Sequence, residues 1–494
     1  MAQTEIGPVA EPLDPKRGRR AELAKSLGRG RVSRKTGIVV FVVLLLAAVS
    51  RSPYILLHGR FVAEEGTMYF AHMKTGSIWF IARPVGYLYV FCNIATWLAA
   101  HSPLEQAPLV TAWLSLGVIV ALVWAALCLP SELLPNAGSR IAAATLLVVG
   151  PLAVPEIWLN STNAQTYLGI LALLFLFVSP TALGRTAFVI IAVLLGLAGL
   201  SGLYAAALAP LFLFRAIRER TIRRLVLAAI ISSSALLQLA VVQTSRASGN
   251  LAQGRLTFRG LGVLTRDVAA WHFATFLFGS SIATRLHAHA YGFFGLLTFA
   301  FCAFVVAAIL ASVLACVRQR QVALLLIAAF VLEESLVLFG TRHDAGGRYA
   351  VLPIAVLLLI SVHAMTTARF RVATGVAAAF CLVSFIGGCS AFWTGQPSAL
   401  RCINCPQWDQ QVSAWRAGRT DHLVIWPYTK ATWTVALPHH PSSRATHGAR
   451  PSAHPRVRSH EIGDRKPSSA LRAPRPDPPV RTRAPSPLRF SGKS

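Results

Sequence analysis

Glu64 and Glu65 stand side by side in FVAEEGTMYF, in a chain of 494 residues that carries only 19 acidic side chains. An adjacent carboxylate pair in a loop could take the proton of an attacking hydroxyl, hold a divalent cation such as Mg2+ or Mn2+, or simply stay hydrated. A second cluster lies in TRHDAGGRYA, where Arg342, His343, Arg348 and Tyr349 follow one another closely. Guanidinium groups match phosphate oxygens in pairs, so this segment suits a phosphate; it also reads as an ordinary polar loop turned by two glycines, with Tyr349 as an interface anchor.

Three further groups have chemistry to offer. EIWLNSTNAQ brings Glu156, Asn160 and Asn163, side chains suited to a site or to capping the helix that follows. Glu333 and Glu334 fall inside an apolar run, where carboxylates are rare and often functional, although they could also be paired within a bundle. Arg266, Asp267, Trp271 and His272 share a segment with the spacing of a helix lying in the membrane surface, which makes them belt anchors or sugar contacts. Cys402 and Cys405 form a CxxC without a second one. Zinc usually takes four ligands, so a disulfide stapling a small outer segment is the better fit. The chain has no phosphate-binding loop, dinucleotide fingerprint or HExxH motif, which argues against ATP-driven transport and zincin proteolysis.

The elements that must position these residues are membrane helices. Hydrophobic residues make up 54% of the chain and charged residues 13%, against roughly 25% charge in a soluble domain. Apolar runs recur from Ile38 to Phe392, each long enough to approach the ~20 residues of a spanning helix, and lipid requires their backbone bonds to be internal. The net charge of +28 sits in the tails and short loops, which points to anionic membrane lipid as the partner and not to nucleic acid.

The expected organisation is an all-α polytopic bundle of about 11 transmembrane helices, with interfacial helices in the first outer loop. Residues 1–36 form a basic cytoplasmic tail, 37–392 the bundle, 393–438 a small extracytoplasmic cap, and 439–494 an Arg- and Pro-rich tail too poor in apolar residues to fold. A second helix is expected from about Pro84 to Ala100, and Arg185 to Arg215 as one broken crossing. This count puts Glu64 and Glu65 outside with Arg348, and places Glu156, Asn160 and Asn163 on the opposite, cytoplasmic side.

FVAEEGTMYF, then RPVGYL, EIWLNSTNAQ and GGRYAVLP, together resemble the bacterial GT-C type glycosyltransferases of the plasma membrane. The resemblance covers roughly residues 37 to 438 as an organisation. It implies a many-helix bundle, a polyprenyl-phosphate sugar donor, a glycan or lipid acceptor, and transfer at the outer face of the membrane. The family's loop acidic residue maps onto Glu64 or Glu65, as base or as metal ligand. A transporter or flippase of lipid-linked glycans is the alternative, and there Glu333 and Glu334 would carry the chemistry.

Overall fold

A computed structural model describes residues 32–76, 86–150, 152, 154–248, 272–275, scattered positions from 297 to 311, and 319–340, 347–394, 407–427 and 433–437. The chain divides into the units Met1–His439 and His440–Ser494, and every described residue belongs to the first. That unit is a bundle of helices. Among the described residues four helical segments are long and apolar enough to cross a membrane: Leu104–Cys128, Ile222–Ala247, Gly347–Thr367 and Arg371–Trp393.

In chain order the helices are α1 (Arg34–Arg51), α2 (Pro53–His58), α3 (Ala71–Lys74), α4 (Val90–His101), α5 (Ala107–Cys128) and α6 (Ala137–Val149). They continue as α7 (Ala164–Leu176), α8 (Arg185–Leu200), α9 (Leu203–Ala207), α10 (Ala209–Glu219) and α11 (Ile222–Ala247). After the sparsely described stretch come α12 (Arg320–Gly340), α13 (Val351–Thr367), α14 (Arg371–Thr394) and α15 (Trp408–Arg416), then the strands β1 (His422–Val424) and β2 (Thr434–Ala436). β1 and β2 pair antiparallel, with Leu423 opposite Val435. A π-helical turn, Glu65–Phe70, leads into α3.

Buried arginines tie the helices together at one end. Arg215 donates to the Leu176 carbonyl at 2.7 Å and pairs with Glu132 and Glu219, while Arg224 pairs with Glu219 and reaches the carbonyls of Leu176 and Val178. Arg140 donates to Leu127 and Leu134, and His363 shares a hydrogen bond with the Leu133 carbonyl. The arginines thus meet the carbonyls of Leu127 and Leu176 at the C-terminal ends of α5 and α7, where intrahelical partners are lacking.

Two features correct the expected topology. α4 has 12 residues, about 18 Å at 1.5 Å per residue, too short for a hydrocarbon core of about 30 Å. Both of its ends touch the same segment: the Tyr89 ring lies 5.8 Å from Tyr69, and Lys74 donates to the Ala100 carbonyl at 2.9 Å. It therefore runs alongside residues 61–76 instead of crossing away from them. The second correction concerns Arg185 to Arg215, which forms two passes, not one. The start of α8 is held at the arginine end by Arg223, which donates to Pro180 and Leu183, and Arg215 itself lies at that same end. The reversal falls at Gly202, whose φ of +139° is open only to glycine. A side chain there would also meet the Gln165 amide oxygen. The first correction brings 154–163 to the end that carries Glu64, and the second keeps Arg348 at that same end.

The bundle closes where glycines allow backbones to touch. A Cβ on Gly388 of α14 would lie 2.4 Å from the Val149 carbonyl oxygen and 2.5 Å from the Gly150 Cα. Small residues at such crossings supply the close packing that holds membrane helices together. We expect Gly388→Ala to force α14 from α6 and to destabilise the detergent-solubilised protein by about 1–3 kcal/mol. Thermal unfolding followed by circular dichroism measures this, and an unchanged midpoint would contradict the close packing.

Candidate functional site

α4, α6, α7 and α8 contain 12, 13, 13 and 16 residues, and so reach only about 18–24 Å. At their ends, irregular backbone lies at membrane depth, where each N–H and C=O needs a partner from the protein. Side chains supply them. Gln238 of α11, 1% exposed, accepts from Leu88 N–H at 2.9 Å and donates to the carbonyls of Leu88, Gly199 and Gly202. Ser201 accepts from Phe91 N–H at 2.9 Å. Asn160 and Asn163 donate to the Glu156 carbonyl at 3.3 and 3.1 Å, and the Asn160 carbonyl oxygen accepts from Thr162. Neither asparagine caps α7 through its side chain; both close the loop before it.

The two glutamates have different fates. Glu65 is fully buried and accepts from Ser161 N–H at 2.9 Å, from Ser161 Oγ at 2.5 Å and from Val62 N–H at 3.2 Å. Burial raises its carboxyl above the ordinary range, with these bonds pulling the other way. Glu64 is half-buried and lines an open cleft of about 510 Å³, its mouth included. The residue before the pair separates them. Ala63 has φ +46°, a left-handed conformation costing about 1–2 kcal/mol for a residue with a Cβ.

The segment from 407 to 437 holds that conformation in place. Ala63 N–H donates to the Trp426 carbonyl at 2.8 Å, and Trp426 N–H donates to Phe61 at 3.3 Å. The Arg60 guanidinium lies 4.6 Å over the Trp426 ring, and Phe61, Phe70, Trp408, Leu423, Ile425 and Val435 share one buried apolar cluster. Gly66 sits under the hairpin, where a Cβ would be 2.7 Å from Ile425 Cδ1.

Arg348 and Tyr349 face the same cleft as Glu64, with Tyr69, Tyr87, Tyr89, Tyr204, Thr162, Asn163, Gln165 and Thr166. Arg348 lies 5.1 Å over the Tyr349 ring and donates to its hydroxyl at 3.2 Å. Among the described residues neither Glu64 nor Arg348 has an oppositely charged partner within ion-pair reach. Arg342, His343, Cys402 and Cys405 lie outside the described residues, as do Arg266, Asp267 and Trp271. His272 is no surface anchor: it is fully buried, with Nδ1 2.8 Å from the Glu334 carboxylate. Glu333 is buried and is not part of the cleft wall.

The pair Glu64 and Glu65 does not fit a two-carboxylate cation site. Glu65 spends its oxygens on Ser161 and Val62, and among the described residues no three His, Cys, Asp or Glu side chains come together. The cleft tyrosines, Gln165 and Gln238 carry no motif. A lone amide within the apolar run of α11 and tyrosines recurring at 69, 87 and 89 were the available signals.

The fold and site define an all-α membrane protein with a polar, tyrosine-lined cleft at one end of its bundle. No family model matches the chain, and no curated protein does. Among solved structures, the cryo-EM structure of the arabinofuranosyltransferase AftD from Mycobacteria is similar, with a TM-score of 0.41 and 17% identity. The match covers 80% of this chain and 29% of that one.

Glu65→Ala strips partners from two buried N–H donors at about 1–3 kcal/mol each, so it should lower the unfolding midpoint, whereas Glu64→Gln should leave it in place. The raised carboxyl also sets a pH dependence. The native state holds the Glu65 proton more tightly than the unfolded chain, so this stability is full below the ordinary carboxyl value of about 4.3 and is lost as pH rises through the raised one. Relative to a Glu65→Gln reference, the wild-type midpoint should therefore fall as pH rises. A gap that widens in favour of the wild type at high pH would refute this.

Proposed function

We propose that this chain is a membrane glycosyltransferase of the GT-C type, which moves a sugar from a polyprenyl-phosphate donor to a glycan or lipid acceptor. The observation that carries this reading is the cleft itself: Glu64 and Arg348, each without an ion partner among the described residues, share its wall. One is a proton acceptor and the other a phosphate ligand. The arginine end of the bundle, with Arg140, Arg215 and Arg224, belongs on the cytoplasmic side by the positive-inside rule, beside anionic lipid. The cleft then opens on the outer face of a bacterial plasma membrane, with the N-terminus inside, in a bundle of about 11 crossings.

In the proposed reaction the acceptor hydroxyl oxygen attacks the anomeric carbon of the donor sugar. Its proton passes to the Glu64 carboxylate as the new C–O bond forms. The bond from the anomeric carbon to the phosphate oxygen breaks, and its electron pair leaves with the phosphate, whose charge Arg348 meets. The products are the glycosylated acceptor and polyprenyl phosphate, and Glu64 returns its proton to water. No step passes through a metal. Arg342 and His343, six and five residues before Arg348 in sequence, would add cationic contacts to the phosphate. Cys402 and Cys405 would staple the cap by a disulfide.

A transporter of lipid-linked glycans is the second reading, favoured by the buried Glu333 and the Glu334–His272 pair. The two readings separate on purified protein in lipid. Under the transferase reading Glu64→Gln lowers transfer of labelled sugar by at least about 100-fold, the usual contribution of a general base, and Arg348→Ala raises the donor KM. Absence of transfer by the wild type, with glycolipid translocation that is lost in Glu333→Gln, would establish the transporter instead.

A further inference from the structure

The reaction uses Glu64 and Arg348 and leaves the aromatic wall between them without a role. Five of the nine tyrosines of the chain line this one cleft. Two of them, Tyr87 and Tyr89, sit two residues apart just before α4, and their rings stack with centroids 4.8 Å apart and planes inclined by 26°. Their hydroxyls are 2.7 Å apart, and the Tyr89 hydroxyl accepts from the Gln165 amide at 2.5 Å. Tyr69 packs on the far side of Tyr89 at 5.8 Å. Tyr69 and Tyr89 are 1% and 7% exposed, whereas Tyr87 is half-buried. Two rings are thus backing, and Tyr87 presents the ring.

The platform is also rigid. Leu88, between the two tyrosines, has both backbone groups hydrogen-bonded to the buried Gln238 amide. A fixed aromatic ring with neutral hydroxyl and amide groups around it matches the two sides of a sugar, an apolar C–H face and a rim of hydroxyls.

We propose that Tyr87 is the stacking platform for a neutral sugar ring of the acceptor, with Tyr89 and Gln165 fixing its orientation. This assignment rests on the transferase reading. The attacking hydroxyl belongs to the acceptor and must reach Glu64, which heads the turn that carries Tyr69. The phosphate end of the donor belongs with Arg348 and Tyr349, on the segment entering α13. The platform itself carries no charge, so an anionic ring gains nothing there and meets the Glu64 carboxylate.

The test uses the full chain in lipid nanodiscs, with Tyr87→Ala and Tyr87→Phe. Saturation-transfer NMR with methyl glycosides of a neutral pentose and hexose should show binding to wild type and Tyr87→Phe, and none to Tyr87→Ala. Methyl glucuronide should bind to none of the three. In the transfer assay Tyr87→Ala should raise the acceptor KM about 10-fold, the size of one lost aromatic contact, with most of the affinity restored in Tyr87→Phe and the donor KM shifted far less. An unchanged acceptor KM in Tyr87→Ala, a larger shift in the donor KM, or equal glucuronide binding would overturn the platform. Glycoside binding that depends on Tyr87 without any Glu64-dependent transfer would sink the transferase reading and retain a neutral-sugar site. Transfer that depends on Glu64 but not on Tyr87 would do the reverse.

Discussion

Helices that stop short of the bilayer thickness leave backbone polar groups at a depth where water cannot satisfy them. The rest of this structure follows from how those groups are paired. Gln238 holds the chain at Leu88, Gly199 and Gly202, Ser201 holds the start of α4, and Asn160 and Asn163 hold the Glu156 carbonyl. Irregular backbone survives at membrane depth only when it is buried in protein or lines a cavity. Here it does both, and the cavity is the cleft. Four short helices are therefore the condition for a polar pocket at one end of the bundle, not a defect of it.

Within that setting one carboxylate is used as structure and its neighbour is left facing the cleft. Glu65 joins the first loop to Ser161, two segments 96 residues apart. Such a buried acceptor must keep all its donors, because an unpaired N–H at this depth is costly. Once Glu65 is pinned, the backbone turn at Ala63 decides where Glu64 goes. That turn is strained and persists because Trp426 bonds it from the other side. A hairpin more than 350 residues downstream thereby sets the aim of the side chain proposed as the base. This links the C-terminal cap to the site, although none of its described residues lines the cleft.

The helical class, the membrane setting and the convergence of Glu64 with Arg348 and Tyr349 were legible in composition and motif. Crossing order was not, for a physical reason. Hydropathy records how apolar a segment is and not where its ends go, and α4, with Trp97, Leu98 and Ala99, is as apolar as a spanning helix. Its course alongside residues 61–76 depends on Tyr69 and Lys74, contacts no window along the chain can register. GLAGLSG likewise reads as a kink or as a reversal. The φ of Gly202 and the position of Gln165 decide for reversal. Because the first of these errors falls before Glu156 to Asn163, the misplacement of that loop was its symptom. The difference between Glu64 and Glu65 was equally hidden, since adjacent identical residues carry no local signal of which one finds Ser161.

Glu333 raises the remaining energetic question. It is fully buried, neither carboxyl oxygen has a hydrogen-bond partner among the described residues, and it stands one residue before Glu334, which is matched to His272. A bare carboxylate in that position would be far more expensive than the whole stability of a typical domain permits, so the group needs a partner or a ligand whenever it is charged. Its electrostatic neighbour Tyr204 stands in the cleft wall, which puts Glu333 directly behind the site. A neutral carboxyl there leaves the Tyr204 wall uncharged, so the field felt by a bound substrate is set by Glu64 and Arg348. Charging Glu333 would add an anion beside Tyr204 and oppose the pull of Arg348 on any anion in the cleft.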